Sequence, residues 1–261
     1  LHLNKAHSIV NPLRTTNPGY AATFEQVTQF PGRIARVARL RDLLGKDRPG
    51  ESWINGLPRL VFVSDMGDAL SRQGDFDFLR EEILAIQSKA GKRHLWLWLS
   101  KRPQLMAQFA SSIGGMPANV CAMTTVTSNE TLHRVDELRE VDAHVRGLSL
   151  EPLWTDISDQ LDLTGIDWVI VGGESGARAI ANPFPIEWAE RLHSSCREQG
   201  TAFFLKQLGS LPTRDDEVIR LQDGHGGDWD EWDEHLRIRE FPAYFHQYRQ
   251  QVEAVTPAAV S

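Results

Sequence analysis

Apolar positions in this chain fall into short solid runs separated by stretches with helical spacing. The runs are Leu60-Val61-Phe62-Val63, Leu95 to Leu99, Asn119 to Val126, Val145 to Leu150, Trp168 to Val171 and Ala202 to Leu205. Four to eight residues with little alternation, bounded by polar or turn residues, read as strands buried on both faces. Between them, Leu79, Ile83, Leu84 and Ile86 recur at helical spacing over 78–90. Pro103 suits a first helical turn and opens a helix through Phe109; 129–140 and 186–199 read as two more. Strands alternating with helices at this spacing imply βαβ units and a parallel sheet. The expected fold is therefore α/β, a partial TIM-like (β/α) barrel.

The flanks differ from this regular body. Residues 1–57 are mostly polar, with one basic helical stretch from Arg33 to Leu40 that reads as a solvated surface helix. The barrel is expected over 58–211. From 212 to 261 the chain is polar, carries Gly224 to Gly227, Trp229 and Trp232, and reads as a covering segment that frays after about Val252.

Composition narrows the class. The 261 residues are 41% hydrophobic and 24% charged, as in a globular protein. No apolar run approaches the roughly 18 residues of a membrane span. A formal net charge of -7 argues against broad, salt-driven nucleic-acid binding, although a local basic groove is compatible with it. Cys121 and Cys196 are the only cysteines; they form neither a disulfide framework nor a zinc spacing. They read as buried thiols of a cytoplasmic protein. His94 and His144 precede strands and read as surface or packing residues, and no metal ligands are assigned.

Chemistry concentrates where the apolar runs stop. The first ends at Ser64-Asp65-Met66-Gly67-Asp68, the second at Ser100-Lys101-Arg102-Pro103, the third near Thr124-Thr125 and Thr127. The fourth gives Ser149 and Glu151-Pro152-Leu153, the fifth Gly172-Gly173-Glu174-Ser175-Gly176, the sixth Lys206-Gln207. If the strands are parallel, all six clusters share the rim at which such folds bind ligands. The acids could bind an ammonium, ribose hydroxyls or a metal. Lys101, Arg102 and Lys206 could hold a carboxylate or phosphate. Structural roles compete: Lys101 or Arg102 pairing with Glu151, and Asp68 capping a helix.

These ordered motifs resemble the radical-SAM-like proteins of phages and prophages, a conserved phage domain of unknown function. The resemblance rests on Val63 to Asp68, Ser100-Lys101-Arg102-Pro103, Ser149-Leu150-Glu151-Pro152-Leu153, Gly172 to Gly176, Phe203 to Gly209 and the Glu231–Pro242 tail. It covers roughly residues 57–243. It implies a radical-SAM-type half barrel using S-adenosylmethionine and a [4Fe–4S] cluster held by three closely spaced cysteines. In that family the cysteine segment precedes the matching part. This sequence, which starts at Leu1, does not contain it, so the expectation is a fragment of such an enzyme. Thr124-Thr125-Val126 also departs from the Ser-Val-Glu-like element of relatives.

What the resemblance implies is then assigned by position. Ser64, Asp65 and Asp68 are candidates for the methionine end of the cofactor. Arg102, Gly172, Gly173 and Ser175 are further cofactor-binding candidates. Lys101, Glu151 and Glu174 are the candidate catalytic residues. The alternatives are a ligand- or partner-binding barrel without a cluster, and a barrel enzyme with phosphate on the glycine loop and Glu151 or Glu174 as general base. The substrate is left open.

Overall fold

The computed structural model describes residues 29–63, 68–71 and 76–248. Six strands form one all-parallel sheet: β1 (Arg59–Val63), β2 (His94–Ser100), β3 (Val120–Thr125), β4 (Val145–Leu150), β5 (Trp168–Gly172) and β7 (Ala202–Gln207). Their spatial order follows the chain, β1-β2-β3-β4-β5-β7, and the sheet curls into a half barrel flanked by helices. The helices are α1 (Arg33–Ala38), α2 (Phe76–Gln87), α3 (Pro103–Ile113), α4 (His133–Arg139) and α5 (Ile186–Gln199). A partial TIM-like barrel is thus the architecture. A small second sheet joins β6 (Phe184–Pro185), β8 (Pro212–Arg214) and β9 (Glu217–Val218).

The period of two along each strand builds two cores. Trp96 and Trp98 of β2, Val169 and Val171 of β5, and Phe203 and Leu205 of β7 face the helices. Leu95, Leu97, Cys121, Met123, Val145, Trp168 and Ile170 face the concave side. Both faces of β2, β3 and β5 are largely buried, which is why they read as solid apolar runs, whereas β1 leaves Phe62 46% exposed. Pro103 occupies the first turn of α3, and Gly114 and Gly200 take left-handed conformations just past α3 and α5.

The basic stretch at Arg33 is a docked element. Glu82 of α2 is buried and accepts from Gly32 N at 2.6 Å and Ile34 N at 3.0 Å, satisfying free amides at the start of α1. His94 is buried beside Trp96, and its Nε2 donates to Ala38 O at 3.1 Å. Burial pushes the His94 imidazole below its usual range and keeps it neutral.

The segment after β9 closes the far edge of the sheet. Leu205 N donates to Ile238 O at 2.8 Å and Glu240 N to Phe203 O at 2.9 Å, so the free edge of β7 is paired. The Arg239 guanidinium lies 4.1 Å from the Trp53 ring and 4.9 Å from Trp229, with Trp232 and Phe204 beside it. Phe245 and Tyr248 then bury themselves against the lower concave face. Phe241 and Tyr244 pack against the same cluster, beside Leu95, Leu97, Val145 and Trp168.

Candidate functional site

The strand register converges the polar clusters. Ser100 lies opposite Thr124, Thr125 opposite Ser149, and Leu150 opposite Val171. A register shift after Val171 sets Gly172 opposite Gln207 and skips Lys206. Alternation places Lys101, Glu151, Gly172 and Lys206 on the concave side, continuing the series Leu95, Leu97, Val145, Trp168, Ile170, Ala202 and Phe204.

At the β1–β2 end, one carboxylate organises the loop. Asp68 Oδ1 accepts from Leu70 N at 2.9 Å and Ser100 Oγ at 2.9 Å. Its Oδ2 accepts from Lys101 N at 3.0 Å and Arg102 Nη1 at 3.1 Å. Ser100 Oγ in turn accepts from Arg102 N at 3.0 Å. The Asp68 side chain is 16% exposed, so these bonds sit in a largely desolvated place where they are strong. Asp68 caps a local turn and ties it to β2. Lys101 is exposed, and among the described residues its ammonium has no acceptor. Ser64 and Asp65 lie outside the described residues.

The β4–β7 end has a different character. Lys206 Nζ donates to both oxygens of Glu151 at 2.9 Å. Glu151 is 18% exposed and Lys206 52%. A Cβ on Gly172 would lie 3.1 Å from Glu151 Cγ and 3.2 Å from Gln207 Cγ, so this glycine makes room for the protein's own side chains. At Gly173 a Cβ would meet Leu208 O at 2.4 Å, and Gly173 N donates to Gln207 O at 3.1 Å. Both glycines therefore serve close approach between β5 and the end of β7.

Glu174 and Ser175 lie on the loop beyond. Asn182 donates to Glu174 Oε2 through its backbone N at 3.1 Å and its Nδ2 at 2.7 Å. These bonds, with a further one from the Trp154 side chain, hold the Glu174 carboxyl below its usual range. Ser175 is exposed. Ser210 pins the same loop, its Oγ accepting from Gly176 N at 3.0 Å.

Of the sequence candidates, the structure joins Asp68 with Arg102, and Glu151 with Gly172. Lys101 and Arg102 do not reach Glu151; its partner is Lys206. Lys206 was legible as a rim cation but not as this partner. The signal was its place two residues after Phe204, on the concave side.

The donor set for a [4Fe–4S] cluster does not fit. Cys121 is buried on the concave face of β3, and Cys196 is buried on α5 on the helix side. Burial raises the Cys121 thiol well above its usual range and pushes Cys196 up to about 12. These two thiols cannot share a cluster, and neither is a ready thiolate. Among the described residues no group of three or more His, Cys, Asp or Glu side chains could hold a metal ion. Nor is any helix there long and apolar enough to cross a membrane.

A groove of about 720 Å³ lies at the other end of the barrel, lined by Trp53, Asp167, Thr201, Arg239, Glu240 and Tyr244 among others. Its carboxylates are already engaged: Asp167 accepts from Arg146 N at 2.8 Å and Glu240 from Phe203 N at 3.0 Å. The rim, where the polar ends of the parallel strands meet and Lys101 and Lys206 are exposed, is the better candidate.

A family model described as "Protein of unknown function (DUF5131)" matches residues 14–236 of the chain. No curated protein and no solved structure matches.

Proposed function

The chain belongs to that family of unknown function, and from this premise we propose that it is the barrel body of a radical-SAM-type protein whose rim binds S-adenosylmethionine. The observation that carries the reading is the Glu151–Lys206 pair at the carboxyl ends of a sequentially ordered parallel half barrel. Ligands of parallel α/β folds sit at that end. Glu151 and Lys206 offer opposite charges to a polar ligand, and Lys101 adds a second exposed cation on the same face. Asp68 and Arg102 act one step back, fixing the Lys101 backbone. Glu174 and Ser175 follow the end of β5 on the same rim. When bound, S-adenosylmethionine supplies an activated sulfonium; a cluster to cleave it would need thiolates from outside this sequence.

The test is a thermal titration with S-adenosylmethionine and S-adenosylhomocysteine. A ligand that binds only the folded state raises stability by about 2.7 kcal/mol at a hundred times its Kd. A melting temperature that rises with either compound supports the reading. A flat response to both, in a sample that melts cooperatively, removes it.

A second reading, a ligand-binding barrel without radical chemistry, is favoured by the placement of Cys121 and Cys196 on opposite faces. Anaerobic reconstitution with iron and sulfide of the product that includes any in-frame codons ahead of Leu1 separates the two. Formation of 5′-deoxyadenosine supports the first; binding of the nucleoside without its formation supports the second.

A further inference from the structure

We propose that the rim at Trp154 and the loop after β5 is a docking surface for single-stranded nucleic acid. Three residues with no part in the nucleoside reading define it: Trp154, Arg178 and Ile180.

Two exposed apolar side chains meet here. Trp154 is 47% exposed, and Ile180, at 82%, is the most exposed large apolar side chain among the described residues. Trp154 follows β4, and its side chain donates to Glu174. Asn182, two residues past Ile180, donates to the same carboxylate. Both apolar side chains thus stand on segments tied to one group.

Those segments are braced. Leu153 N donates to Gly172 O at 3.0 Å and Trp154 N to Thr127 O at 2.8 Å, which seats the tryptophan between the ends of β3 and β5. Gly176 N donates to Ser210 Oγ at 3.0 Å. Ile180 N and Ala181 N both donate to Ala177 O, at 2.9 and 3.1 Å, and close a turn that leaves Arg178 exposed at its tip. An indole held this way offers a ring face with little left to order when a partner arrives.

Charge selects the partner. At the described strand ends the carboxylates of Asp68, Glu151 and Glu174 are each bonded to protein donors. Arg178 and Lys101 are exposed, and no acceptor among the described residues engages either side chain. The unspent charge beside the sheet is therefore positive, although the chain as a whole carries -7. Exposed acids return farther along the connections, at Glu130 and Asp159, so the attraction is local.

A polyanion with free aromatic faces matches this set, its bases against Trp154 and Ile180 and its phosphates on Arg178 and Lys101. Lys101 after β2 and Arg178 after β5 are three strand spacings apart, roughly 14 Å, with Trp154 between them. That span suits a run of nucleotides. A duplex keeps its bases paired and away from the indole.

The experiment is fluorescence anisotropy with a labelled ~15-nucleotide DNA strand, the RNA of the same sequence and the DNA duplex. A single strand should bind with a Kd of about 1–100 μM in about 50 mM salt, and more tightly than the duplex. Whichever of DNA and RNA binds more tightly names the strand, and either supports the surface. Two phosphate contacts predict a log–log salt slope of about -1.4, which Arg178→Ala should reduce to about -0.7. Arg178 is exposed and unbonded, so that variant keeps the fold. Trp154→Leu should weaken binding about tenfold with the slope unchanged, the worth of one base stacked on an aromatic ring. No binding of any of the three overturns the proposal, as does equal binding of duplex and single strand. Single-strand binding that neither variant changes also overturns it. Self-association in sedimentation that Trp154→Leu abolishes, without oligonucleotide binding, makes the patch a protein contact and overturns it too. The thermal response to S-adenosylhomocysteine is read separately, so failure here leaves the nucleoside reading intact.

Discussion

At the β1–β2 end of the rim, Asp68 is bonded to Leu70 N, Ser100, Lys101 N and Arg102; at the β4–β7 end, the Glu151 carboxylate accepts, among the described residues, from Lys206 alone. The two side chains are similarly enclosed, 16% and 18% exposed. Burial therefore does not separate them; the identity of the donors does. Backbone amides at Asp68 cannot leave without undoing a turn, whereas an ammonium on a long stem can. One end of the rim is committed to the fold through backbone amides, and the other rests on a single side-chain pair.

The sharpest way to break this contrast is to remove the two ends separately. Asp68→Ala deprives two amides, one hydroxyl and one guanidinium of their acceptor, and should cost roughly 2–4 kcal/mol in urea unfolding. A loss under about 1 kcal/mol would mean that water replaces the carboxylate freely, and the committed end would not be committed. The Glu151→Gln/Lys206→Met double variant removes an ion pair whose cation is more than half exposed, leaves no unpaired charge behind, and should cost only about 0–1 kcal/mol without ligand. If it destabilises as much as Asp68→Ala, the pair is a structural tie and the contrast collapses.

The same contrast marks how far the sequence could be read. β4 and α5 have the bounds that pattern alone implies, Val145–Leu150 and Ile186–Gln199, because uninterrupted apolar or helical spacing runs from one turn signal to the next. β7 extends two residues past its apolar run, through Lys206 and Gln207, where polarity hides the strand and the register shifts. The expected helix over 129–140 is divided: Ser128 and Thr131 form a reciprocal cap on a short 3-10 turn at Asn129–Thr131 before α4 begins. The small β6-β8-β9 sheet, with strands of two or three residues and proline in two of them, left no periodic trace. Convergence of the polar clusters on one rim followed from parallel strands. Pairing within the rim did not, because Lys101, Arg102 and Lys206 are equivalent as residue types. Only the alternation and the shift in β7 deliver Lys206 to Glu151.

Glu174 sharpens the comparison from a third position, between the two extremes. Its carboxylate has protein donors, but they come from one residue of its own loop, Asn182, with help from Trp154. Those bonds favour the ionised form and lower its pKa, so the folded state binds the proton more weakly than the unfolded chain does. The stabilisation is present above the unfolded glutamate value of about 4.3 and is lost as pH falls through the folded pKa. Asn182→Ala keeps the backbone donor and removes the Nδ2 bond, so the Glu174 pKa should rise part of the way toward that ordinary value, with little change in melting temperature at neutral pH. Carboxyl-carbon NMR of the wild type and the variant reads this directly. An unmoved Glu174 titration would show that the loop does not hold its carboxylate in solution, and would place Glu174 beside Glu151 as a group left open for ligand.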